Sequence, residues 1–113
     1  MKKSDALKLW MLAFNDKEYA YDFAGRKIKR EDYEEKNQVG WVVGYMKPLE
    51  LGGEDNDGNT IIMHHNTLEE KGQNYPTFEC LNKKFIVKYD EKEDFYYIEK
   101  ESNDESGFIW WLK

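Results

Sequence analysis

The chemistry this sequence offers comes from a few side-chain types. Adjacent histidines, His64 and His65, follow a loop that carries Glu54, Asp55 and Asp57. Imidazole and carboxylate are ligands of divalent metals. The spacing argues against a metal here. Neighbouring side chains on a strand point to opposite faces, so His64 and His65 are not expected to share one ion. The stretch "DNDG" (55–58) is similar to part of a calcium loop, but its first position would be Gly53 and its twelfth His64. Neither supplies the carboxylate such a loop needs there. The loop acids are therefore expected as solvated turn residues, with no metal and no cofactor. The other chemistry on offer is positive charge and flat rings, scattered along the chain. Arg26, Lys47, His64 and Lys71 offer positive charge or donors, and Trp41 and Tyr45 offer flat rings. A ring stacked on a base contributes roughly 1–3 kcal/mol. Plainer roles stand beside each: Trp41 in the core, Lys47 and Lys71 on solvated surface, Lys71 at the negative end of a helix, and Arg26 paired with an acid such as Asp22.

The elements that must position these groups fit one domain spanning residues 1–113. The chain is 40% hydrophobic, 35% charged and 16% aromatic, a composition that predicts a soluble globular fold. The aromatic share predicts either an aromatic-heavy core or a surface that stacks on something planar. No apolar run approaches the roughly 18 residues of a membrane span, so no membrane contact is expected. Met1-Lys2-Lys3 is not followed by an apolar signal core, and the one cysteine, Cys80, has no partner for an internal disulfide. Cys80 is expected as a small buried hydrophobe, and the cytoplasm as the location. The net charge of -6 makes long duplex DNA a poor partner. Its distribution is uneven. Arg26, Lys27, Lys29 and Arg30 form a basic cluster, while Asp90, Glu91, Glu93, Asp94, Glu99, Glu101, Asp104 and Glu105 make the C-terminal part acidic. A small anion in a local positive pocket remains open.

Along the chain, Ser4 is placed to cap a helix, with Leu7, Trp10, Met11 and Phe14 as its apolar stripe. "YDFAGRKI" (21–28) reads as two short extended pieces around Gly25. Residues 29–35 read as a helical turn. "WVVGYM" (41–46) and "TIIMHH" (60–65) read as strands joined by a Gly/Asp/Asn loop, followed by a helix over 67–71 that Gly72 ends. Tyr75-Pro76 breaks the chain. "KFIVKYD", "DFYYIEK" and "GFIWWLK" read as three strands of an antiparallel meander, with turns over 91–94 and 102–107. The fold class is α+β: an N-terminal helix, a strand–loop–strand–helix core over about 40–72, and a C-terminal β extension over about 76–113.

That order, and several motifs within it, resemble the HNH endonucleases and their ββα-metal core. "DFAGRKIKREDY" (22–33), "GW" (40–41), Pro48, Gly52-Gly53, Asn59, His64, "EK" (70–71) and "YPTF" (75–78) carry the resemblance, which extends from about Leu9 to Tyr89. In that family an Asp-His pair holds the metal and activates water, and a later Asn or His on the helix completes the metal site. The resemblance puts Gly44, Tyr45 and Leu68 at those three positions. Glycine has no ligand atom, leucine cannot bind a metal, and a phenol of pKa about 10 is a poor base near neutral pH. The resemblance thus implies a degenerate HNH-like frame without catalysis.

Three functions are expected in turn. The chain resembles phage anti-defence proteins in which an HNH-like frame has lost catalysis and traps nucleotide immune messengers. It would then bind a small anionic nucleotide, cyclic or of ADP-ribose type, through Tyr45, His64, Lys47, Lys71, Trp41 and Arg26, without cleaving it. The alternative is an acidic protein–protein inhibitor, similar to an anti-CRISPR, of a nucleic-acid-binding defence protein of the host. A residual metal-dependent nuclease comes third. Trp110 and Trp111 would point to opposite faces of a strand, leaving one to anchor a partner or a homo-oligomer.

Overall fold

In a computed structural model, residues 1–101 and 109–110 are described. The chain is an α+β protein. Helix α1 (Lys3–Phe14) is followed by a hairpin of β1 (Tyr19–Tyr21) and β2 (Lys27–Lys29), then by β3 (Trp41–Tyr45) and β4 (Thr60–His64), then by helix α2 (His65–Lys71). Strands β5 (Thr77–Cys80), β6 (Lys83–Asp90), β7 (Phe95–Glu101) and β8 (Ile109–Trp110) complete it. The described residues form three antiparallel sheets, β1-β2, β3-β4 and β5-β6-β7-β8. The expected strand–loop–strand–helix order is present, and so is the C-terminal meander. No described helix is long and apolar enough to cross a membrane.

Strand β4 divides the interior. "TIIM" is an unbroken run with only apolar residues after its threonine, which suits a strand buried on both faces. Its alternation sends Ile61 and Met63 one way and Ile62 the other. Ile62 joins Ala6, Leu9, Trp10, Ala20, Ile28 and Trp41. Ile61 and Met63 join a second core, built on Phe23, Met46, Phe78, Phe85, Val87 and Ile98. Phe23 reaches that core from the β1–β2 turn, edge-on to Phe78 and Phe85.

Several local expectations are corrected. Helix α1 starts one residue before Ser4, with Lys2 at its N-cap and no side-chain cap. Of the expected stripe, Trp10 is fully buried and Leu7 and Phe14 pack half-buried against the core, but Met11 lies outside, 49% exposed, and Ala6 and Leu9 are buried in addition. Residues 29–35 form no helix: Lys29 ends β2, turns follow, and Tyr33 makes a parallel bridge to Trp41. His65 opens α2 instead of ending β4. Cys80 is buried, as expected, but it sits in β5, a strand the sequence did not announce. The expected turn over 102–107 and the residues Phe108 and Trp111 lie outside the described residues. Ile109 and Trp110 pair with Glu99 and Ile98.

Candidate functional site

Two buried polar residues set the frame around β3, β4 and α2. Asn59 holds the loop between the strands. Its Oδ1 accepts the Lys47 N–H at 2.8 Å, and its Nδ2 donates to the carbonyls of Lys47 and Glu54, both at 2.9 Å. A side chain at Gly53 would put its Cβ 2.0 Å from the Lys47 carbonyl oxygen, so the loop closes only over glycine there. Asp22 ties the β1–β2 turn to the start of α2. Its Oδ1 accepts the N–H groups of Ala24 (3.0 Å) and Arg26 (2.9 Å). Its Oδ2 accepts the N–H of His64 (2.9 Å) and the hydroxyl of Thr67 (2.6 Å). A buried carboxylate is tolerated when its lone pairs are filled in this way.

Between this frame and the 46–51 segment lies a cleft of ≈ 330 Å³. Gly44, Tyr45 and Leu68 all line it, with Val43, Pro48 and Leu49. A Cβ on Gly44 would meet Met63 Cε at 2.8 Å and Leu68 Cδ1 at 3.2 Å, so apolar side chains already fill the space above that position. On the far side of Tyr45 and Leu68 a second recess, of ≈ 280 Å³, runs toward Tyr33 and Glu34. Among the described residues, the only charged side chain lining the first cleft is Glu50, and the only one lining the second is Glu34.

The six residues expected to hold an anion do not converge. Tyr45 alone lines the cleft, and its hydroxyl donates to Asp55 at 2.7 Å. That bond raises its pKa, as does partial burial, so the phenol holds its proton. Trp41 is fully buried, donates its indole N–H to the Arg30 carbonyl at 3.2 Å and packs between Trp10 and Tyr33. It has no face free for a base. Arg26 is paired with Glu70 at 2.6 Å and donates to Thr67 at 3.0 Å. The suspected partner Asp22 binds only its backbone. Lys47 Nζ sits 5.5 Å over the Tyr75 ring.

Lys71 departs furthest from expectation. It is fully buried, not on solvated surface. Its ammonium donates to the Asn74 carbonyl at 3.3 Å and lies 5.2 Å over the Phe78 ring. Burial brings its pKa down to about 8. His64 is buried as well. Its Nδ1 accepts the Asn66 N–H at 3.0 Å, which caps α2, and its Nε2 faces the Gln38 carbonyl at 3.0 Å. Those two bonds fit one neutral tautomer, and burial lowers its pKa. The histidine rings are not on opposite faces. The chain turns from strand to helix between them, and they stack with centroids 4.4 Å apart. His65 Nε2 faces the Asn37 carbonyl at 2.7 Å. Among the described residues no group of three His, Cys, Asp or Glu side chains is placed to hold a metal.

A different grouping emerges. The loop with Glu54, Asp55 and Asp57 folds against the β6–β7 turn, where Gly58 packs on Asp94 and Phe95. Glu54, Tyr89, Asp94 and Tyr96 surround one small recess. Tyr89 donates to Asp94, which pushes its pKa up to about 12. The loop and the turn thus meet, with Glu54 and Asp94 at one recess, and Asp55, Asp57, Glu91 and Glu93 are exposed on the same two segments. Each acidic run is visible in the sequence, but their juxtaposition is not.

Compared with family models, curated proteins and solved structures, the chain matches none of them.

Proposed function

We propose that this chain is a non-catalytic binding protein on a degenerate HNH-like frame, and that its acidic face blocks a basic surface of a nucleic-acid-binding protein. The observation that carries this reading is the packing of the acidic 54–58 loop against the acidic β6–β7 turn, with Glu54 and Asp94 at one recess. Electrostatic complementarity of this kind steers association and selects partners. The loss of catalysis is supported by the chemistry of the cleft. Glycine, a phenol bonded to a carboxylate, and leucine offer neither a metal ligand set nor a base.

The test is competition against DNA. The protein is titrated into CRISPR-type and related effector complexes holding labelled duplex, with a Glu54→Lys/Asp57→Lys/Glu91→Lys/Glu93→Lys variant as control. Displacement by the wild type, lost in the variant, is the expected result. No displacement from any complex counts against the reading.

The second reading, sequestration of a small nucleotide, is favoured by one observation: the ≈ 330 Å³ cleft over Gly44, Tyr45 and Leu68 is within the size range of small-molecule sites. A ligand there would stack on Tyr45 and find few cations. Thermal unfolding with nucleotides, cyclic dinucleotides and ADP-ribose derivatives, with and without Mg²⁺, separates the readings. A ligand at 100 times its Kd adds about 2.7 kcal/mol. A large metal-independent shift with the ligand recovered intact selects sequestration, and a flat panel selects the protein-binding reading.

A further inference from the structure

The outward face of the β1–β2 hairpin carries a set of side chains that neither core uses. Its register pairs Tyr19 with Lys29, Ala20 with Ile28 and Tyr21 with Lys27. The middle pair is buried in the core beside α1. Strand alternation therefore puts Tyr19, Tyr21, Lys27 and Lys29 together on the other side. Tyr19 is 43% exposed and Tyr21 63% exposed. Large aromatic rings are seldom left this open in adjacent same-face positions without a use. The lysines do not lie elsewhere: Lys27 Nζ is 4.5 Å from the Tyr19 ring centre and Lys29 Nζ is 5.6 Å from it. Both ammonium groups thus lie over the Tyr19 ring, and the Tyr21 ring stands more exposed beside them.

We propose that this hairpin face binds a short single-stranded nucleic acid, with bases stacked on Tyr19 and Tyr21 and phosphates met by Lys27 and Lys29. Three features support that occupant. Residues two apart on a strand are spaced by about 6.6 Å, close to the step between successive bases in an extended strand. Exposed rings on a sheet, flanked by cations, are a common platform for unpaired bases. A duplex hides its base faces, so the rings select single strands. The negative net charge does not forbid this. At physiological ionic strength the Debye length is about 8 Å, so distant acids are screened from the patch. Among the described residues, the carboxylate ion-paired with the patch is Glu18, 4.0 Å from Lys29 Nζ. The patch shares no residue with the acidic face, so the two surfaces stand or fall separately.

The experiment is fluorescence anisotropy of a labelled 12-nucleotide oligo-dT with the full chain at 50 mM salt, repeated at 200 mM. The wild type is expected to bind, and binding is expected to weaken with a log–log salt slope of about −1.4 for two phosphate contacts. Lys27→Glu/Lys29→Glu is expected to lose at least tenfold and to flatten that slope. Tyr21→Ala is expected to lose about 5- to 100-fold at an unchanged slope. All three positions are at the surface, and unchanged far-UV dichroism and Tm confirm that the variants fold. The Glu54→Lys/Asp57→Lys/Glu91→Lys/Glu93→Lys variant should keep oligo-dT binding at or above the wild-type level. Absence of binding by the wild type at 100 µM protein overturns the proposal. So does equal affinity for a duplex of the same length, or binding that survives the double charge reversal.

Discussion

Asp22 Oδ2 accepts the Thr67 hydroxyl at 2.6 Å, joining a turn near the N-terminus to a helix 45 residues later. The same oxygen takes the His64 N–H. Three segments are fastened at one carboxylate: the β1–β2 turn, the end of β4 and the first turn of α2. Removing it strands four donors, three of them backbone, in or near the interior. Asp22→Ala is therefore expected to cost about 3–5 kcal/mol in urea unfolding. Thr67→Ala should cost less, about 1–2 kcal/mol, because Asp22 keeps three donors. Equal costs for the two would show that the carboxylate is not the hub.

Asn59 gives a second, independent stability prediction. Its amide both donates and accepts, and the geometry uses each side. Asn59→Asp places an oxygen against two carbonyl oxygens, those of Lys47 and Glu54. This near-isosteric change should cost about 3 kcal/mol or more, since the buried carboxylate keeps only the Lys47 N–H as donor while its second oxygen faces two acceptors. The cost should shrink as pH falls and the new carboxyl is protonated, because protonation restores one donor. A variant as stable as the wild type at pH 7 would mean that the loop can open and hydrate.

How far the sequence could be read follows from the range of each signal. β4 was legible because "TIIM" between a turn loop and histidines is a local pattern. The Gly25 turn was legible because φ is +99° there, a conformation glycine adopts readily. The end of α2 at Gly72 was legible on similar grounds. The Asp22 hub was not, since its partners lie 42 and 45 residues away. Lys71 was misplaced because a lysine at a helix C-terminus is ordinarily solvated. Here Phe78 of β5 covers it, and β5 itself was missed. The anion set failed to converge for a related reason. Arg26, Trp41 and His64 each have a structural partner near at hand, and sequence spacing does not reveal that the partner is already taken.

Gly40 precedes β3 at a place where chains nearly touch. A Cβ there would fall 1.6 Å from the Glu35 carbonyl oxygen and 2.6 Å from its carbon. Backbone cannot yield as a flexible side-chain end can. Gly40→Ala is expected to destabilise by about 2–4 kcal/mol and to displace the 35–39 segment. That segment supplies the Asn37 and Gln38 carbonyls that meet the two imidazoles. The imidazole proton resonances of His64 and His65 should therefore move together in this variant. Unshifted resonances with normal stability would refute the contact.

Lys71 makes the stability depend on pH in a defined window. Its pKa falls from 10.5 to about 8 in the fold, because burial disfavours the ammonium. Below pH 8 the lysine is charged in both states, and the full burial cost is present. Between 8 and 10.5 the unfolded chain binds more protons than the folded one, so stability rises with pH. The rise is about 3 kcal/mol at most over the whole window, and about 1 kcal/mol between pH 8 and 9. Cys80 acts in the opposite sense. Burial pushes its thiol from 9.0 up to about 12, so from pH 9 the unfolded state alone loses that proton and stability falls. Between pH 8 and 9 the unfolded thiol only begins to ionise, a fall of about 0.4 kcal/mol, so the Lys71 rise outweighs it there. Urea unfolding of Lys71→Met should show no rise across that interval. The variant should also be more stable than the wild type at pH 7, once the lost bond to Asn74, about 1 kcal/mol, is offset by removing the buried charge. A wild-type curve as flat as the variant's between pH 8 and 9 would mean that the ammonium reaches water.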